Sequence, residues 1–374
     1  MAKKRKIRAD FRKNRSGRSR ATDLTRKFAA EGLDQDSLRG ERISGKGELS
    51  RRRTIVTTDA EDQSGSGVQL DVDQSACLRG RVLSVHGLLS TVETEEGALY
   101  KCATRRLLKT LSTDQRHVVA AGDRVLFRPS GADEGIIERI EPRTGALSRQ
   151  SRGRQHVLVA NVDQLLIIAS AAEPYLKPNL IDRFLVAAER ERIEPLICIN
   201  KIDLVEPATL QPLVGVYSQM GYRVLLLSAR TGFGIERLRR AMAGRQSVVA
   251  GQSGVGKSSL LNAIETGLHL RVASVSEESQ KGRHTTTTAQ LHRLASGGYV
   301  VDTPGVRQFQ LWDLVPEEVA AHYRDIRPFV SHCRYPDCTH THEEDCAVKD
   351  GVADDLIDAR RYESYRHLCE GVFE

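Results

Sequence analysis

The stretch Gly251-Gln-Ser-Gly-Val-Gly256-Lys257-Ser258 has the spacing G-x-x-x-x-G-K-[ST]. It stands between an apolar run, SVVA (247–250), and a helix-forming run, SSLLNAI (258–264). A strand feeding a glycine-rich turn that opens a helix is the context in which this pattern holds phosphate. The glycines let backbone N–H groups wrap an anion, and the helix N-terminus adds the positive end of its dipole. Nucleotide contacts are expected from Gly251, Gln252, Ser253, Gly254, Val255, Gly256, Lys257, Ser258 and Ser259. Lys257 is placed to reach the β- and γ-phosphates as a catalytic charge, and Ser258 to ligate Mg²⁺. The stretch therefore predicts an α/β nucleotide-binding domain.

Working outward, near-continuous apolar runs alternate with helical stretches: VDQLLIIASA, EPLICINK, RVLLLSAR, then AQLHRLA and GYVVDTPG. That texture indicates a mainly parallel sheet buried on both faces. Asn200-Lys201-Ile202-Asp203 closes one run. A carboxylate there can accept two N–H bonds from guanine, at the ring N1–H and the exocyclic amine; adenine lacks that donor pair. Asn200 is expected to tie the loops together, the Lys201 stem to lie along the base, and the loop at Ser228 and Ala229 to offer a backbone N–H to the guanine oxygen. Taken with the phosphate loop, the set selects GTP over ATP. Asp302-Thr303-Pro304-Gly305 closes another run, with Asp302 expected near Mg²⁺ and the Gly305 N–H facing the γ-phosphate. Between them lies Gly282-Arg-His-Thr-Thr-Thr-Thr288, where Thr285 or Thr286 can supply a hydroxyl to the metal.

The order of these elements is informative. Ras-like GTPases run phosphate loop, Thr switch, DxxG, NKxD and SA; this chain runs NKID, SA, phosphate loop, Thr switch and DTPG, a circular permutation. The DTPG switch consequently feeds into the C-terminal region, which suggests that the γ-phosphate moves that region. Ras-like proteins aim water with a Gln after DxxG, whereas Val306 stands here and cannot. His284, or a group from a partner, is the expected substitute, and unassisted hydrolysis is expected to be slow. A GTP-gated RNA scaffold with little turnover and an ATP-dependent kinase are the competing functions; Asp203 speaks against the second.

Cys333-x4-Cys338-x-His340-x5-Cys346 gathers three thiols and an imidazole within fourteen residues. Four soft ligands close a tetrahedral Zn²⁺ shell, so one structural zinc is expected, with His332 and His342 as competing imidazoles. Cys77, Cys102, Cys198 and Cys369 are isolated and read as reduced thiols. An odd count of seven Cys with three crowded together fits a reducing, cytoplasmic setting better than disulfides.

The chain has 374 residues, 40% hydrophobic and 28% charged, which suits several globular domains and excludes global disorder. No apolar run is long enough to cross a membrane, and none at the N-terminus resembles a secretory signal. The net charge of +7 is unevenly placed: residues 1–53 hold 18 Lys/Arg against 7 Asp/Glu, and the remaining 321 hold 38 against 42. A basic arm of this kind stays extended and binds phosphate backbones by releasing counterions, so RNA is the favoured partner, with a solubilising tail as the plainer role. Five short alternating runs between Cys77 and Arg149 suggest an OB-fold. The expected organisation is multidomain: 1–75 a basic arm and linker without regular structure, 76–150 an OB-fold β-barrel, 155–310 a circularly permuted α/β P-loop GTPase, and 311–374 a mostly helical zinc-binding domain. Nothing demands more than a monomer.

A barrel, a permuted GTPase carrying GQSGVGKSS and GRHTTT, and a C-x4-C-x-H-x5-C knot together resemble the RsgA (YjeQ/YloQ) family over about residues 77–370. The resemblance implies a GTPase that binds the small (30S) ribosomal subunit late in maturation, is stimulated by it, and contacts rRNA through barrel and zinc domain. It also matches Asn200, Lys201 and Asp203 to base-binding positions, Gly251 through Ser259 to phosphate-binding positions, and Cys333, Cys338, His340 and Cys346 to zinc ligands. The long basic arm departs from the family's short N-terminus.

Overall fold

The computed structural model describes residues 5–10, 52–57, 68–70, 74–105, 108, 118–151, 154–265, 289–302 and 316–371. Backbone contacts divide the chain into two compact units, Met1–Arg143 and Thr144–Glu374. Strands β1 (Arg5–Asp10), β2 (Arg52–Thr57) and β3 (Val68–Leu70) form an antiparallel sheet with Ile7 opposite Ile55 and Ile55 opposite Leu70. The expectation of an arm without regular structure before Cys77 is corrected at these three segments. Charge counting overlooked the β-branched run Thr54-Ile-Val-Thr57, which favours extended pairing.

Five further strands make the barrel: β4 (Leu78–His86), β5 (Leu89–Thr94), β6 (Leu99–Thr104), β7 (Arg124–Pro129) and β8 (Glu134–Ile140). They pair in the closed order β4-β5-β6-β8-β7-β4, antiparallel except for the parallel pair β6–β8. One parallel pair closing five strands is the OB arrangement, and closure leaves no free edge. Alternation along the strands turns Val82, Val92, Cys102, Val125, Phe127 and Ile137 into one core. Burial there pushes the Cys102 thiol up to about 12, so it stays protonated and inert. Arg143 closes the unit by donating to both Asp123 oxygens at 2.7 and 2.9 Å and to the Val118 carbonyl at 2.9 Å.

The second unit opens with a hairpin, β9 (Ala146–Ser151) and β10 (Arg154–Ala160). The main sheet follows, from β11 (Gln164–Ser170), β12 (Glu194–Asn200), β13 (Arg223–Leu226), β14 (Gln246–Ala250), β15 (Gln290–Arg293) and β16 (Tyr299–Asp302), in spatial order β13-β12-β11-β14-β16-β15. Five of these strands run parallel, and β15 runs antiparallel to β16. The turn between β15 and β16 is too short for a parallel crossover, and Leu294 and Gly298 are already hydrogen-bonded across it. All seven residues of β11 and all five of β14 are buried, which explains the apolar runs Leu165–Ala169 and Val248–Ala250 within them.

Helices α1 (Pro178–Arg190), α2 (Gln211–Gln219), α3 (Ile235–Met242) and α4 (Lys257–Ile264) connect the parallel strands. Leu238, Met242, Leu260 and Ile264 pack with Leu166, Cys198 and Val300 in a core of this unit. Beyond lie α5 (Pro316–Val319), α6 (Arg327–Val330), α7 (Ala347–Ala353) and α8 (Ala359–Glu370), the last capped by the Asp358 carboxylate accepting from Arg360 N at 2.9 Å and ended by left-handed Gly371. Their core of Val319, Tyr323, Ile326, Val348, Ile357 and Tyr365 includes Val186 of α1, so this helical segment is built onto the sheet domain. No helix among the described residues is long and apolar enough to cross a membrane.

Candidate functional site

Parallel strands point their carboxyl ends one way, and Ser170, Asn200, Leu226, Ala250 and Asp302 end theirs at that edge. Ligands of open α/β sheets bind outside this edge. The phosphate loop follows β14 there and the NKID loop follows β12. The Ser228 loop follows β13, and the described part of the DTPG segment ends with Asp302. His284, Thr285, Thr286, Gly305 and Val306 fall outside the described residues.

Asn200 joins three of these loops. Its Nδ2 donates to the Val255 carbonyl at 2.9 Å, and its Oδ1 accepts from Ala229 N at 3.2 Å. The residue is only 2% exposed, and each half of its amide makes a loop-positioning bond. Glycine is required on either side of this contact. Gly256 sits at φ +90, and a Cβ on it would come within 2.4 Å of Asn200 Nδ2. Gly251, at φ +145, would drive a Cβ to 2.2 Å from the Ile168 carbonyl. Left-handed backbone and close approach each exclude a side chain.

Gly256 leads into α4, whose first residue Lys257 curls over the loop and donates to the Gly251 and Gln252 carbonyls at 2.8 and 2.6 Å. The ammonium thus stays within the ring of atoms expected to meet phosphate. Lys201 adopts a left-handed φ of 62 and donates to the Glu173 carbonyl, joining the segment between β11 and α1 to the NKID loop.

Asp203 receives two side-chain donors, one on each oxygen. Ser228 Oγ donates to Oδ1 at 2.5 Å, and Arg230 lies 2.6 Å from Oδ2. The Ser228 bond above all, with Arg230 adding charge, holds the carboxyl below the usual carboxylate range, so it is ionised at neutral pH. The sequence marked Ser228 for its loop and did not mark Arg230. The residue is merely next in line after Ser228-Ala229, and only folding brings it to Asp203.

In the C-terminal segment, the ligand atoms of Cys333, Cys338, His340 and Cys346 all lie within 4.8 Å of one another. Cys333 Sγ is 3.9 Å from Cys346 Sγ and 3.3 Å from His340 Nδ1, and Cys346 Sγ is 3.5 Å from the same nitrogen. A tetrahedral ion with arms near 2.3 Å to sulfur and 2.0 Å to nitrogen has edges of about 3.5–3.8 Å. The four atoms fit a metal of that geometry. His332 turns its Nδ1 toward the Pro328 carbonyl at 3.1 Å, and His342 is exposed; neither belongs to the cluster. Tyr362 donates to the His340 carbonyl at 2.9 Å and Tyr365 to the Thr339 carbonyl at 2.7 Å, so α8 holds the knot from behind. Glu343 secures its front by accepting from Thr339 N and Thr341 N at 2.6 and 3.0 Å.

Fold and site together define a circularly permuted P-loop GTPase with an OB barrel before it and a metal-compatible Cys/His cluster after it. The RsgA GTPase family model matches residues 140–312. The small ribosomal subunit biogenesis GTPase RsgA of Sodalis glossinidius is 41% identical over 299 residues, 78% of this chain and 85% of its own length. Its namesake from Yersinia enterocolitica is 40% identical, again over 78% and 85%. The crystal structure of YjeQ from Thermotoga maritima superposes with a TM-score of 0.67 at 36% identity, covering 79% of this chain and 98% of that one. YloQ, described as a circularly permuted GTPase, gives 0.64 at 30% identity over 81% and 98%. The chain belongs to the RsgA GTPase family.

Proposed function

We propose that this protein binds the small ribosomal subunit during its late maturation and hydrolyses GTP there, with the subunit accelerating turnover. The observation that carries the nucleotide half is the Asn200 hub, which fastens the base loop to the phosphate loop at the carboxyl edge of the sheet. Subunit binding rests on the named function of relatives that cover most of the chain.

In this reading Asp203 selects guanine, the Ala229 loop faces its oxygen, and Gly251 through Ser259 wrap the phosphates. Lys257 leaves its loop carbonyls for the β- and γ-phosphates, offsetting charge as the terminal bond breaks. Ser258 and Asp302, with Thr285 or Thr286, hold Mg²⁺, which when bound draws charge from the phosphate oxygens. His284 aims the water that Val306 cannot. The Cys/His cluster holds one zinc, since soft thiolates with one imidazole favour that ion. Barrel, zinc segment and basic arm contact rRNA, and the protein works as a cytoplasmic monomer.

Hydrolysis of GTP and of ATP, each with and without purified small subunits, tests the reading. GTP-only turnover that rises with subunits is the expected result. GTP binding without stimulation would leave a nucleotide-gated RNA scaffold instead, and a preference for ATP would overturn the base assignment. His284→Ala is expected to lower subunit-stimulated turnover on the order of a hundredfold, the usual contribution of a positioned acid–base group, with GDP affinity unchanged. Unaltered stimulated turnover would remove His284 from the reaction.

A further inference from the structure

Asp203 is the acceptor assigned to guanine under the proposed function, and any role for its neighbours in base selection rests on that assignment. A carboxylate offers two lone-pair directions on each oxygen. Guanine needs one on each, because its N1–H and exocyclic amine donate side by side. Two side chains meet the carboxylate, one on each oxygen: the Ser228 hydroxyl on Oδ1 and the Arg230 guanidinium on Oδ2, with the backbone N–H of Asp203 itself as a local donor.

From this arrangement we infer that Arg230 is a positioning residue for guanine specificity. Without Arg230 only one oxygen has a side-chain donor, and Ser228 with the residue's own backbone N–H holds the carboxylate plane less firmly. A second donor on the other oxygen fixes the plane and turns the free lone pairs outward as a matched pair. The Arg230 side chain is 71% exposed while that of Asp203 is only 12% exposed, so the guanidinium approaches from solvent and can remain when a base covers the carboxylate. Two-point recognition depends on that plane, whereas a one-point contact tolerates its rotation. Loss of Arg230 therefore penalises guanine more than hypoxanthine, which keeps N1–H and lacks the amine.

The test measures affinities of the full-length protein for GDP and for inosine diphosphate. Arg230→Ala is expected to weaken GDP binding roughly fivefold, near the upper end for a partly exposed ion pair, and to lower the ratio of GDP to inosine diphosphate affinity. Arg230→Lys, which keeps one donor and the charge, is expected to restore part of that ratio. Unchanged or tighter GDP binding in Arg230→Ala would overturn the inference, the tighter case making the arginine an occluder of the base site. An equal loss for both nucleotides would overturn it too, since general destabilisation has that signature. Asp203→Asn serves as the separate control for the base assignment and is expected to cost far more than fivefold in GDP affinity. If it costs nothing, the assignment and the inference fall together; if it costs much while Arg230→Ala changes nothing, only the inference falls.

Discussion

Metal removal by a chelator, or Cys346→Ser, is expected to open residues 333–346 while leaving GDP affinity unchanged. Around the cluster the chain is polar and turn-rich, with left-handed residues at His340 and Asp345, conformations that cost energy unless something holds them. Cys346 and His340 are each 2% exposed, and Cys346 reaches the helical core beside Val348 and Tyr365, but the residues between the ligands are mostly polar and exposed. A structural zinc contributes on the order of 10 kcal/mol of folding free energy to a small module, more than the local hydrogen bonds from Tyr362, Tyr365 and Glu343 can replace. The helices outside the knot keep their own core of Tyr323, Ile326, Val348 and Ile357 against Val186, so the damage should stay local. Two readouts check this: hydrogen exchange, with protection lost at 333–346 and kept at 359–370, and thiol titration, with Cys333, Cys338 and Cys346 turning reactive while buried Cys102 and Cys198 do not. Thiols that react equally fast before and after chelation would show that no metal holds them.

Much of this architecture was legible in the sequence because its signals are local. The phosphate loop, the NKID tetrapeptide and the cysteine spacing each need only neighbouring residues, and the apolar runs of β11 and β14 announce a buried parallel sheet. The alternating runs after Cys77 gave the five barrel strands for the same reason. What stayed hidden depends on contacts between distant residues. The hairpin of β9 and β10 fell at a supposed domain boundary because ALSRQS and RQHVLVA mix polar and apolar positions without a clean period. Spacing named His340 as the fourth ligand but left His332 and His342 as competitors; in the fold only His340, buried at a left-handed turn, lies with the three thiols among the described residues. Arg230 and Arg361 look like ordinary surface charges in a chain with 28% charged residues.

Arg361→Ala is expected to be strongly destabilising, more than other ion-pair substitutions among the described residues. Its guanidinium donates to both Asp325 oxygens at 3.0 and 2.9 Å and lies 2.5 Å from Asp182 on α1, with the Tyr323 ring 4.4 Å from its centre. Asp182 is fully buried and also accepts from Tyr217 at 2.8 Å, and the Arg361 side chain is 3% exposed. Burial opposes the arginine's charge, yet Asp182 and Asp325 together hold it protonated well above its ordinary value. Alanine strands a carboxylate with no access to water, which costs about 3–5 kcal/mol and lowers the melting temperature of this unit by roughly 10 °C. The penalty has a pH signature. Burial already pushes Asp182 toward the protonated form against the pull of Arg361, and losing that partner pushes it further, so the folded variant binds a proton that the unfolded chain releases near pH 4. Variant stability then falls as pH rises above about 4, and the deficit is larger at about pH 8 than at about pH 5. Adding Asp182→Asn removes the stranded charge and should recover part of the loss, whereas a pH-independent deficit would mean that lost packing, not an orphaned carboxylate, is responsible. The same geometry bears on nucleotide-driven movement. Helix α1 starts beyond Glu173, which accepts from Lys201, and carries Asp182 to Arg361. Shifting the C-terminal helices against α1 would expose the ion triad, so a movement triggered at the γ-phosphate is cheaper if it carries α1 along than if it breaks that contact.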